Sequence, residues 1–260
     1  MNHKKELFDF LNNYFGHIYL VTIERAKDRH SIIQKELEGL NYEIFFGADF
    51  KNFSIDELKE TRVYDETLAK QNHRYSKPIK GGMLGCSLSH KMIYEDIIKN
   101  KYQRVLVLED DVIIEQFSFQ NFKNAMAELP KNWELLYFDY NKNENKPLLG
   151  FLKQTTYHIQ KLFGGIKFSH KAINNLFAKK YSNNLMVAGL HDFTDAYAVT
   201  TEGAKILLEL QTPVQWFPDH LLAYASSNKL INAYCLKEKI ISQTSQTSKP
   251  EFSLINDNSY

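Results

Sequence analysis

Arg104-Val105-Leu106-Val107-Leu108 runs without a break into Glu109-Asp110-Asp111, and no other stretch of the 260-residue chain restricts its architecture as tightly. Successive side chains on a strand point to opposite faces, so four apolar residues in a row require cover on both sides. That places the strand in the middle of a sheet, with helices above and below. Three carboxylates then stand where the strand leaves the core.

Other segments supply its neighbours. Residues 17–23 form a β-branched and aromatic run that reads as a buried strand. A polar helix is expected over 27–37, with Asp28 near its start, and a second strand over 42–46, closed by Gly47. Ser54-Ile55-Asp56-Glu57 has capping-box spacing and opens a helix. Residues 61–80 are polar, carry Pro78 near their end and read as a loop. Behind Gly81-Gly82, Leu84, Leu88, Met92 and Ile93 recur at helical spacing and predict an amphipathic helix over 83–99. A helix over 121–129 and a strand over 134–138 follow.

Between 141 and 189 the pattern is weaker and gives a strand near 157–162 and a helix near 169–179. A strand over 195–200, a helix capped by Thr201 and running to 210, a short helix over 218–226 and a strand over 230–236 complete the series. Alternating strands and helices predict an α/β fold with a mostly parallel central sheet flanked by helices. No linker interrupts the chain, so a single domain over 1–260 is expected, with an irregular polar tail over 242–260.

Charge and cysteine content narrow the function classes. The formal net charge is +1, which gives no electrostatic case for nucleic acid. Residues 142–180 are locally basic: Lys142, Lys146, Lys153, Lys161, Lys167, Lys171, Lys179 and Lys180 face only Glu144. Such a run is either a solvated face or a patch for an anionic acceptor or the inner face of a membrane. Cys86 and Cys235 lie far apart without metal-type pairing, which suits a reducing compartment. Residues 1–14 mix charges with scattered apolar residues and read as neither a signal peptide nor an anchor. The expected location is cytoplasmic, with any membrane contact peripheral. The 15 Tyr and 18 Phe fill cores and also stack on sugars, so they permit a carbohydrate ligand without requiring one.

In open α/β sheets ligands bind beyond the carboxyl ends of the strands, where Glu109-Asp110-Asp111 would lie. Crowded carboxylates repel, and a hard divalent cation, Mg²⁺ or Mn²⁺, relieves them and can hold a nucleotide diphosphate. An acidic turn in solvent is the plain alternative. Gly81-Gly82-Met83-Leu84-Gly85 matches neither the P-loop nor the dinucleotide fingerprint. Gly85-Cys86-Ser87-Leu88-Ser89-His90 sets small and polar residues near a helix start, either to meet an anion or to pack tightly. His90 is a structural hydrogen-bonding residue or a site residue. Neither a Gly-x-Ser-x-Gly elbow nor a His-Glu-x-x-His zinc motif occurs.

Four blocks in order resemble glycosyltransferase family 25, which includes lipooligosaccharide glycosyltransferases and procollagen galactosyltransferases. They are Ile18-Tyr19-Leu20-Val21-Thr22-Ile23 with Asp28-Arg29, Gly82 to His90, Val105 to Val112, and Ala196-Tyr197-Ala198-Val199 with Gly203-Ala204, followed by Pro213 to Asp219. The second and third carry most of the specificity.

The resemblance implies a GT-A-like, Rossmann-like domain, a UDP-hexose donor, an oligosaccharide or glycolipid acceptor and inversion at the anomeric carbon. It makes about 18–140 the nucleotide-sugar-binding half and about 141–241 the acceptor-binding half. Thr22, Glu24, Arg29, Gly82, Ser87, His90, Glu109 and Asp110 become candidate donor residues, and Asp110 and Asp111 the candidate ligands of a divalent metal, Mn²⁺ or Mg²⁺. Arg29 would meet the nucleotide or form a structural ion pair. Asp219 is the first choice for the base that takes the acceptor proton, with Asp195 and Asp192 as rivals; helix capping is the plain role for Asp219. The family usually has Asn-Leu where this chain has Thr22-Ile23, and the position of Asp195 is often not acidic. Outside that resemblance, a divalent-metal phosphoesterase would use the same carboxylates, and a glycan-binding or assembly protein would bind without turnover.

Overall fold

The computed structural model describes residues 2–243. In chain order its first half contains α1 (Asn2–Tyr14), β1 (His17–Thr22), α2 (Lys27–Glu36), β2 (Glu43–Phe46), α3 (Ile55–Glu60), α4 (Glu66–Asn72), α5 (Gly81–Asn100), β3 (Arg104–Glu109), β4 (Val112–Ile114) and α6 (Phe119–Glu128). The second half adds β5 (Leu135–Tyr137), α7 (Gly150–Leu162), α8 (His170–Asn174), β6 (Lys179–Lys180), β7 (Leu185–Val187), β8 (Ala196–Thr200), α9 (Thr201–Leu210), α10 (Pro218–Ser227), β9 (Ala233–Leu236) and β10 (Ile241–Gln243).

Eight strands form one mixed sheet in the order β2-β1-β3-β8-β5-β9-β7-β6. β1 pairs in parallel with β2 and β3, and β5 with β9, while β8 runs against both β3 and β5. β3 is central, as its composition requires. Leu106 and Leu108 face one layer with Leu7, Leu11, Ile33, Leu37 and Phe122; Val105 and Val107 face the other with Ile93, Tyr94, Ile97, Leu207 and Leu221. All four strand residues are essentially inaccessible, and burying each contributes about 2 kcal/mol. Because β1, β3 and β5 point the same way, their carboxyl ends share one edge of the sheet, where the acidic residues collect.

Several boundaries differ from the sequence-based expectation. The strand expected near 157–162 is the last part of helix α7, and the helix expected over 169–179 is one short turn, α8. The 61–80 loop contains α4, capped by Asp65, and encloses the buried Tyr64, whose hydroxyl accepts from the Ile79 amide at 2.9 Å. Thr200, not Thr201, caps α9 through the Gly203 amide, while Thr201 Oγ1 donates to the Tyr102 carbonyl. The strand expected over 230–236 starts at Ala233. The expected irregular tail begins inside β10, which pairs with β4; residues 244–260 lie outside the described residues. No helix among the described residues is long and apolar enough to cross a membrane.

Candidate functional site

A cleft of about 180 Å³ opens at the carboxyl ends of β1 and β3. Four chain segments line it: Val21 to Ile23 with Arg25 and Arg29; Ala48, Asp49 and Phe50 after β2; Gly82, Cys86, Ser89 and His90 on α5; and Glu109, Asp110 and Asp111 after β3, with Gln243 beside them. The second and third segments fit because they touch with almost nothing between. A Cβ on Gly85 would sit 2.6 Å from the Ala48 carbonyl oxygen, and one on Gly47 2.2 Å from Ser89 Oγ. Ser89 completes the join by accepting from the Ala48 amide at 2.9 Å and donating to the Gly85 carbonyl at 2.7 Å. The small residues at this helix start thus hold the 48–50 loop over the cleft.

Arg29 lies between the carboxylates. Its Nη2 is 3.0 Å from Asp110 Oδ1 and 2.8 Å from Asp111 Oδ2, and these side chains are nearly enclosed. Thr22 Oγ1 donates to the other Asp110 oxygen at 2.5 Å and lies 3.0 Å from His30 Nε2. Glu109 points elsewhere. Its Oε1 accepts from Thr194 Oγ1 at 2.7 Å and faces His90 Nε2 at 3.5 Å. His90 is fixed from behind by the Tyr197 hydroxyl, 2.8 Å from Nδ1, which donates onward to Tyr94 at 3.2 Å. Donor atoms of Cys86, His90 and Glu109 all lie within 4.8 Å of one another.

One guanidinium does not balance this many carboxylates. Burial and the Glu109 charge push Asp111 up to about 7, and burial raises Asp110 despite Arg29 and Thr22. Glu109 itself is held below the usual range: burial opposes its ionisation, but His90, Thr194 and Arg29 outweigh that. Asp111 Oδ1 and His90 Nε2 are buried without a hydrogen-bond partner. Arg25, the other cation lining the cleft, is engaged by Asp49 at 2.6 Å. An orphaned carboxylate oxygen beside crowded anions is a donor set that fits a hard divalent cation. The Cys86, His90 and Glu109 atoms form a softer set that lines the same cleft.

Of the residues singled out from sequence, Thr22, Arg29, Gly82, His90, Glu109, Asp110 and Asp111 meet in this cleft. Glu24 is exposed outside it. Ser87 faces away, its hydroxyl donating to the carbonyls of Met83 and Trp216. The three candidate bases lie along the same edge of the sheet but do not line the cleft. Asp195 sits beneath it at the start of β8, its carbonyl accepting from the Glu109 amide at 2.8 Å. Its carboxyl is buried against that of Asp139, with which it shares a hydrogen bond that requires a proton. Burial, then the charges of Glu109 and Asp111, push Asp195 far up. Asp192 pairs with Lys142. Asp219 is in the first turn of α10 but does not cap it; Phe217 holds the cap position. Burial and the charges of Asp192 and Glu109 raise its carboxyl, against the pull of His220.

Sequence reasoning missed Arg25, Asp49, Phe50 and Gln243. The glycine at 47 signalled a tight turn beside Asp49. Nothing local signalled Gln243, which reaches the site only because β10 sets it opposite Val112.

The chain is similar to known proteins. The family model described as Glycosyltransferase family 25 (LPS biosynthesis protein) matches residues 15–222, which include the whole cleft except Gln243. A glycosyltransferase 25 family member of Anopheles gambiae is 28% identical over 204 residues, covering 75% of this chain and 29% of the relative. Procollagen galactosyltransferase 2 of Mus musculus is 26% identical over 200 residues, covering 75% and 27%. A human relative of similar identity, 26% over 209 residues (76% and 29%), is named inactive glycosyltransferase 25 family member 3. The chain spans less than a third of the length of these relatives. Matched by the family model over most of its length, the chain belongs to glycosyltransferase family 25.

Proposed function

We propose that the protein transfers a hexose, galactose or glucose, from a UDP-sugar to an oligosaccharide or glycolipid acceptor of a lipopolysaccharide-type surface glycan, with inversion at the anomeric carbon. The observation that carries this reading is the cleft at the ends of β1 and β3, where Arg29 lies among more carboxylates than it can neutralise. A divalent cation held by Asp110 and Asp111 would supply the positive charge that a departing diphosphate needs. Glu109 and His90 then face the donor, and the α5 start brings backbone N–H groups toward it. Thr22 orients Asp110 for this role through its short hydrogen bond.

For the base, Asp219 has the best support. A raised carboxyl is a better proton acceptor, provided that it is ionised at the working pH. Asp195 shares its proton with Asp139, and Asp192 is neutralised by Lys142, which makes both weaker candidates. Residues around Asp219 suit a sugar acceptor: the rings of His73, Phe217 and His220 pack within 5.0–5.7 Å of one another beside it.

A non-catalytic reading is favoured by two observations. Arg29 already bridges Asp110 and Asp111, and a relative is named inactive. Incubation with a panel of UDP-sugars, with Mn²⁺ or with a chelator, decides between the two. Metal-stimulated release of UDP from one hexose donor, rising when oligosaccharide acceptor is added, is expected. Donor binding without turnover under any condition would overturn the transferase reading.

A further inference from the structure

Helix α7 is inverted relative to an ordinary surface helix. A helix on a globular protein turns its apolar stripe inward and its polar residues to water. Here the inward face is the polar one. Gln154 donates to the Ile173 carbonyl at 2.8 Å, His158 stacks on His170 and meets Asn174 Oδ1 at 2.9 Å, and Tyr157 packs against Phe168. At about 100° per residue, these positions share one arc, Phe151 and Leu162 adjoin it beside His158, and Ile159 and Leu152 carry the apolar stripe round to the far side. Each of those four apolar side chains is about half exposed or more. The flanks extend the stripe, with Leu148 94% and Phe163 85% exposed. A contiguous patch of this kind marks an interaction surface, whereas scattered exposed apolar residues do not.

The surrounding charge says what covers it. Eight lysines between 142 and 180 face a single carboxylate, Glu144, in that segment. Among the described residues, only Lys142 of the eight forms a salt bridge, to Asp192. Two copies of this chain meeting face to face would bring the same lysines together, because a two-fold interface pairs a patch with itself. A lysine-rich segment that carries an exposed apolar stripe is instead complementary to an anionic lipid bilayer.

We propose that α7 and its flanking turns dock on an anionic membrane surface, with Phe151, Leu162 and Phe163 at the level of the acyl chains and the lysines over the headgroups. The docked face is tied to the acceptor side of the molecule: Asn143 Nδ2 donates to the Leu190 carbonyl at 2.7 Å, and Lys142 holds Asp192. The docking itself does not depend on the proposed reaction.

Co-sedimentation of the full chain with vesicles tests it. The protein should pellet with phosphatidylcholine–phosphatidylglycerol vesicles, far less with phosphatidylcholine alone, and less as salt is raised. Replacing Phe151, Leu162 and Phe163 by serine, or Lys146, Lys171 and Lys180 by glutamate, should each lower partitioning by about tenfold or more. Thermal stabilisation by UDP-sugars should be unchanged in both variants. The proposal is overturned if the unaltered protein stays in solution with anionic vesicles or if the serine variant pellets equally well. It is also overturned if sedimentation velocity shows a dimer that the serine substitutions dissolve.

Discussion

The cleft and helix α7 solve opposite problems. In the cleft, charges are buried and must find partners: Arg29 reaches two aspartates, Thr22 serves one, and Thr194 and His90 serve Glu109. On α7, apolar groups are left about half exposed or more. Stability in the first region rests on electrostatic pairing in an enclosed space. The second adds little to the fold and keeps its surface for something outside the molecule. Substitutions should therefore be costly in one and nearly free in the other.

Removing Arg29 should have the largest effect. Arg29→Ala leaves Asp110 and Asp111 crowded and uncompensated, and breaking an enclosed pair of this kind costs about 3 kcal/mol. Denaturant unfolding should show that loss, and Mn²⁺ should restore part of it by replacing one cation with another. An unchanged midpoint would break the contrast between the two regions.

His191 sharpens it at similar scale. Its Nε2 accepts from the Gly189 amide at 2.9 Å and its Nδ1 meets the Lys142 carbonyl at 2.8 Å, so the fold requires the neutral ring. Burial pushes its pKa from 6.5 down to about 4. The unfolded chain thus takes up the proton first, and this residue's share of stability declines as pH falls from about 6.5 to about 4, by about 3 kcal/mol in all. His191→Gln should be less stable at neutral pH and show a flatter acid limb over that window in thermal unfolding.

Gly85→Ala should cost about 1–3 kcal/mol, because the added methyl would have to push the Ala48 carbonyl aside and shift Asp49 and Phe50 with it. The serine substitutions on α7 should change stability by about 0.5 kcal/mol, since Leu162 and Phe163 are mostly exposed and Phe151 is half exposed.

The same contrast explains what the sequence disclosed. Val105 to Leu108 had to be a central strand, and the edge position of Glu109-Asp110-Asp111 followed from that. Helix α5 was legible from Leu84, Leu88 and Ile93, and it begins two residues earlier than the apolar pattern because Gly81 and Gly82 have no side chains to register. Helix α7 was misread because its stripe faces water, so Tyr157 and Ile159 looked like alternation on a strand. Ser87 looked like a site residue because it shares the 85–90 block with His90, but its hydroxyl is turned to the Met83 and Trp216 carbonyls. Gln243 reaches the cleft through the long-range pairing of β10 with β4, which no local pattern encodes.

The most direct test of the cleft as donor site is calorimetric titration of UDP-galactose and UDP-glucose, with Mn²⁺, into the unaltered protein, Asp111→Asn and Asp219→Asn. One donor should bind the unaltered protein and Asp219→Asn with similar affinity, while Asp111→Asn loses about tenfold or more, consistent with removing a charged contact. Equal binding by all three proteins would contradict a donor site built on Glu109-Asp110-Asp111.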